Sequence, residues 1–269
     1  MSQGFDDVAW APLKCVLKGK APQYRLWLTK TTSKCCGSKQ MLHRWGYEED
    51  PLCPLCKEHP ENSKHQLQCK HVGRNDLYQE DVTALINTLE TMDTCPDLLE
   101  SLETYLTRKG EVTFADTTTL KPHLEAIGRA QDRIAWLHFM EGKISHEMIS
   151  HQALYYLDEG SIRTADSWAK QLITRLLQIT HGQWIYRNVM VHGKQEDGLS
   201  TKEREELQLK LEQQYIEGGT ELLEKDKHLM EIDFTGLWAL NGDDKKYWYR
   251  AMVQAREAAG REAGRPQSS

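Results

Sequence analysis

Apolar residues recur at helical spacing over much of this chain. Residues 75–91 place Leu77, Val82, Leu85, Ile86 and Leu89 near a 3.6-residue period. Residues 96–108 open with Pro96 at a first-turn position and present Leu98, Leu99, Leu102 and Tyr105 on one side. A longer helix is expected over 118–141, burying Ile127, Ile134, Trp136, Leu137 and Met140, and a shorter one over about 145–157. The strongest pattern covers 165–192. There Trp168, Leu172, Leu176 and Ile179 make one stripe, with Ile173, Leu177 and Trp184 beside it. Thr164 or Asp166 can cap that helix and Gly193 can end it. Segments 201–217, 220–230 and 243–259 read as further helices, the first charged on most faces and closed by Gly218-Gly219. What alternation of strand type there is lies in the first 50 residues, where short apolar runs are broken by lysines. The fold class expected is mainly α, with a small irregular module at the N-terminal end followed by an α-helical domain.

The patterning also suggests divisions: a loose N-terminal extension over 1–11, a compact module over 12–74, an α-helical domain over 75–259, and a disordered tail over 260–269. Charge follows the same divisions. The net charge is −6, yet residues 12–74 hold twelve Lys or Arg against five Asp or Glu. A basic third beside an acidic remainder is the asymmetry expected where one part of a chain meets a polyanion. With a mean hydropathy of −0.66 and no apolar run of transmembrane length, no membrane partner is expected. No signal-peptide core is visible, so the expected location is intracellular, in nucleus or cytoplasm. There the seven cysteines read as metal ligands and reduced thiols rather than as a disulfide framework.

Four residues stand out chemically. Cys53-Pro-Leu-Cys56, His65 and Cys69 have the spacing C-x2-C-x8-H-x3-C. Zn2+ takes four sulfur or nitrogen ligands in a closed tetrahedron, and a Cys pair on a tight turn supplies two corners. Glu61-Asn62-Ser63-Lys64 reads as a helix start, placing His65 and Cys69 four apart on one face. Too few apolar residues lie between the ligands to form a core, so the ion would supply the folding free energy. His43, His59 and His71 flank the quartet and read as solvated rather than as substitute ligands. Cys35 and Cys36 are adjacent, so their side chains diverge and a packing role is expected.

Residues 20–71, from Lys20-Ala-Pro-Gln-Tyr-Arg-Leu-Trp27 through Leu42-His-Arg-Trp45 to the quartet, resemble the zinc-binding module downstream of the reverse transcriptase domain in non-LTR retrotransposons. The last gap is three residues where four is common in that family. The resemblance covers about a fifth of the chain. It implies Zn2+ held by Cys53, Cys56, His65 and Cys69, and contact with RNA or DNA. The basic residues suited to that contact are Lys30, Lys34, Lys39, Arg44, Lys57, Lys64 and Lys70, with Trp27, Trp45 and Tyr47 among them; the tryptophans read rather as core.

Catalytic signals are sparse. Gly242-Asp243-Asp244 has a polymerase-like carboxylate pair but no surrounding palm domain, and reads as a helix start. His146-Glu147-Met-Ile-Ser150-His151 puts its histidines five apart, off a common helical face, so they cannot clasp one metal. Arg187-Asn188-Val-Met-Val-His192 is similar to the R-x4-H pattern of HEPN ribonucleases. By that resemblance His192 would move a proton and Arg187 would stabilise phosphate charge; helix-end placement alone also favours both residues. Three readings follow: a non-catalytic zinc-dependent binder of RNA or single-stranded DNA, a metal-independent ribonuclease, and a zinc-stapled scaffold for protein partners.

Overall fold

A computed structural model describes residues 4–193 and 201–263, apart from the side chains of residues 192, 201 and 202. Its helices are α1 (Trp10–Lys18), α2 (Pro22–Thr32), α3 (Lys39–Arg44), α4 (Ser63–Gln68), α5 (Val72–Thr91), α6 (Pro96–Thr107), α7 (Phe114–Thr117), α8 (Glu125–Ile134), α9 (Trp136–Met140), α10 (His146–Asp158), α11 (Ala165–His192), α12 (Thr201–Glu217), α13 (Phe234–Ala239) and α14 (Gly242–Ala263). Among the described residues there is no sheet, only the isolated bridges Val8–Ser145 and Leu52–Pro60. The mainly α class is what the periodicity predicts.

The chain divides into two compact units, Met1–Arg187 and Asn188–Ser269. The expected boundary near residue 74 does not coincide with this division. The cause is burial: Trp27, Leu28 and Leu67 join the same core cluster as Leu85, Leu102, Trp168, Leu172 and Leu176. Each large side chain withdrawn from water contributes about 1.5–3 kcal/mol, so sharing that core binds the first segment to the helices after it. In the second unit Leu207 and Leu211 of α12 pack with Leu222, Leu237, Trp248 and Met252.

Several local expectations change. The short apolar runs broken by lysines near the N-terminal end fold as the helices α1, α2 and α3: Pro22 opens α2, and Trp27, Leu28 and Thr31 fall on its buried side. The N-terminal extension is not loose from residue 4 onward. Val8 and Ala9 are buried, the Ala9 N–H donates to the Ile144 carbonyl at 2.9 Å, and Arg133 grips Asp7 at 2.6 Å. That guanidinium holds the Asp7 carboxyl below its ordinary range. The helix expected over 118–141 is interrupted. Pro122 starts a short 3-10 turn, and Ala135 at φ +71° separates α8 from α9. Asp132 of α8 accepts the Phe114 and Ala115 N–H groups, capping α7 from a distance in sequence. Glu224–Met230 is a 3-10 helix rather than an α-helix. Residues 260–263 of the expected disordered tail belong to α14, while 264–269 lie outside the described residues.

Candidate metal centre

The ligand segment is a closed loop followed by a short helix. Glu61 N–H donates to the Pro51 carbonyl and Cys53 N–H to the His59 carbonyl, both at 2.8 Å, which fastens the two ends of residues 51–61 together. Inside the loop, the Leu55 and Cys56 N–H groups point at Cys53 Sγ. The chain then reverses at Lys57, whose φ of +57° lies in the left-handed region and whose N–H returns to the Cys53 carbonyl. Asn62 caps α4 by accepting the His65 N–H at 2.9 Å. Cys69 sits at the C-cap, just past the helix that carries His65.

This framework brings one donor atom from each of Cys53, Cys56, His65 and Cys69 within 4.8 Å of one another. Cys53 Sγ lies 3.9 Å from Cys69 Sγ, and Cys56 Sγ lies 3.3 Å from His65 Nε2. Around a tetrahedral ion with sulfur at about 2.3 Å and nitrogen at about 2.0 Å, the edges would be roughly 3.8 and 3.5 Å. The donor set therefore fits a tetrahedral ion in both spacing and chemistry. These four residues form a metal-chelating cluster.

The hydrogen bond between the Cys53 and Cys69 thiols shifts the two in opposite directions. The hydrogen bond with Cys69, together with burial, pushes Cys53 up to about 11. The hydrogen bond from Cys53 brings Cys69 down to about 7, helped by the His71 N–H and the charge of Arg74. Lys57 carries a side chain in a backbone region that disfavours one by roughly 1–2 kcal/mol. Lys57→Gly is thus expected to stabilise the metal-loaded protein by up to about 1 kcal/mol and Lys57→Val to destabilise it, as read by chemical denaturation.

The other sequence candidates fall in different places. Lys30, Lys34, Arg44, Lys57, Lys64 and Lys70 are exposed, but Lys39 is half-buried between Asp50 at 3.1 Å and Glu48 at 3.6 Å. Trp27 is core as expected, whereas Trp45 is 49% exposed and Tyr47 75% exposed, contrary to the expectation of a packed Trp45. The short α3 that precedes Trp45 buries none of its residues, so it offers no core for that ring. Cys36 is buried 3.6 Å from Ser63 Oγ and Cys35 is exposed, so the adjacent thiols do diverge. His43 Nδ1 meets the Glu48 carbonyl, and the His59 ring packs edge-on against His65.

Arg187 does not face solvent. It is 5% exposed, and its Nε and Nη2 donate to Oε1 and Oε2 of Glu61 at 3.1 and 3.0 Å. Glu61, 0% exposed, also accepts the Lys39 N–H at 2.9 Å. A guanidinium held this way cannot meet a phosphate without breaking a buried ion pair, and the His192 side chain lies outside the described residues. Glu61 reads from sequence only as part of a helix start; its place as an acidic residue between Pro60 and the Asn62 cap is the available signal for a buried partner. Gly242 begins α14, where Asn241 caps the helix by accepting the Asp244 N–H, in keeping with the helix-start reading. His151 is directed toward Cys95 Sγ at 3.4 Å and stacks on His123, away from His146.

No described helix is long and apolar enough to cross a membrane. Comparison with protein families, curated proteins and solved structures returns no match to this chain.

Proposed function

We propose that the cluster holds Zn2+ and that the ion fixes a surface for single-stranded RNA or DNA, as in the retrotransposon module that residues 20–71 resemble. Cys53, Cys56, His65 and Cys69 would bind the ion through three thiolates and one imidazole, a donor set characteristic of structural zinc. The observation that carries the nucleic-acid reading is that cations of residues 12–74 stand exposed while three of the segment's five acids are paired. Of the five acids in residues 12–74, Glu48 and Asp50 are engaged by Lys39 and Glu61 by Arg187. Lys30, Lys34, Arg44, Lys64 and Lys70 stand exposed, and Trp45 and Tyr47, close to Arg44 in sequence, are exposed rings. Cations with free aromatic faces are what a flexible polyanion with stacking bases requires. The role is non-catalytic binding; the ribonuclease alternative would need Arg187 released from Glu61.

Binding of labelled RNA and single-stranded DNA to the zinc-loaded protein at several salt concentrations tests this reading. Simultaneous Lys30→Ala, Lys34→Ala, Lys64→Ala and Lys70→Ala changes should make the negative slope of log K against log salt shallower by about 2 to 3. Trp45→Ala should weaken binding by about 1–3 kcal/mol with little change in that slope. An absence of affinity at low salt, with one zinc per chain, would replace this reading with that of a stapled protein scaffold.

A further inference from the structure

Threonines inside helices commonly satisfy their own hydroxyls on the preceding turn. In α2 Thr29 donates to the Arg25 carbonyl at 2.9 Å, and in α11 Thr180 donates to the Leu176 carbonyl at 3.0 Å. Thr31 does not. It is 6% exposed, and its Oγ1 has no hydrogen-bond partner among the described residues. Trp27, one turn earlier on the same helix and equally buried, has an unpartnered Nε1. Its ring has little room to seek a partner, because Tyr24, His181 and Trp184 pack around it at centroid distances of 5.1, 4.5 and 6.0 Å. Both residues line one cavity between α2, α4 and α11, with Ser63, Gln66, Glu141 and Thr180 among its other walls. The space there for the centre of a water-sized sphere is about 10 Å3. By that measure a single water needs roughly 10–15 Å3. A larger polar ligand does not fit, and an apolar one would leave the indole N–H and the hydroxyl unmatched. Buried polar groups left in that state carry their full desolvation cost, which is why nearly all of them find a partner.

We propose that this cavity is a hydration site for one internal water, which accepts the Trp27 N–H and bonds to the Thr31 hydroxyl. Its remaining hydrogen bonds fall to the polar walls. Glu141 Oε2 is taken by His138 at 2.8 Å and Lys143 at 2.7 Å, which leaves Oε1 as an acceptor. Ser63 and Gln66 belong to α4, the helix that carries His65. The water therefore joins α2 to the ligand helix and to α11 at a place where side chains alone leave two polar groups unmatched. The site is built from protein groups and depends on neither the zinc nor the nucleic-acid reading.

A crystal structure of the full chain should show one ordered water within hydrogen-bond distance of both Trp27 Nε1 and Thr31 Oγ1. Thr31→Val, which keeps the shape of the side chain and removes its hydroxyl, adds a test by sign. With the water in place the change takes away one of its partners, and the midpoint of urea denaturation should fall by roughly 0.3–0.7 M. In a dry cavity the same change removes an unmatched polar group, and the midpoint should stay level or rise. A cavity without water, density there for any other species, or a midpoint that does not fall would overturn the proposal.

Discussion

Cys69→Ser is expected to reduce bound zinc from one ion per chain to near zero and to unfold the loop of residues 51–61 together with α4. Cys53→Ser should do the same, since both residues are buried and their sulfurs lie 3.9 Å apart in the cluster. Structural zinc contributes about 10–16 kcal/mol of apparent binding free energy in isolated finger peptides, so the loss should dominate the stability of this segment. It should nevertheless stay local. Leu67 is anchored in the main core, and α6, α8 and α10 pack without help from the ligands. Hydrogen exchange should therefore show protection lost in residues 51–69 and kept in α6 and α10. Cys15→Ser and Cys35→Ser, at exposed thiols, serve as controls and should leave metal content unchanged. A Cys69→Ser protein that still holds a full equivalent of zinc would remove Cys69 from the ligand set.

The second large effect is expected at the ion pair between Glu61 and Arg187. Arg187→Met leaves a fully buried carboxylate with the Lys39 N–H but without its cation, and breaking a buried pair from one side costs about 3–5 kcal/mol. Glu61→Leu strands the guanidinium at a similar cost. The double change Glu61→Leu with Arg187→Met removes both charges and should recover most of the loss, because desolvating two ions offsets much of their attraction. Chemical denaturation of the four proteins forms the cycle. Single changes costing under about 1 kcal/mol would mean that water reaches the pair, as it does for exposed ion pairs.

Much of this architecture is legible in the sequence because it depends on local spacing. The stripe Trp168, Leu172, Leu176 and Ile179 is a property of one helix, and all four residues are buried in the core. The Cys53, Cys56, His65 and Cys69 quartet is confined to seventeen residues, so turn and helix geometry alone bring the donors together. What escapes depends on distant partners. The helix break at Ala135 has no proline or glycine to announce it, and the Ile144 backbone that holds Ala9 could not be foreseen from residues 1–11. Arg187 reads as a helix-end cation until Glu61, 126 residues earlier, is seen to hold it. Trp45 reads as core by composition, but α3 is too short and too exposed to enclose it.

The separation between Glu61 and Arg187 sets an order of events during synthesis. All four donors emerge from the ribosome close together, so the ion can be captured while the rest of the chain is still being made. Arg187 follows Glu61 by 126 residues, or roughly 6 to 25 s at ordinary elongation rates. Over that interval the nascent loop carries its carboxylate in water, and it is withdrawn from solvent only when α11 arrives to cover it.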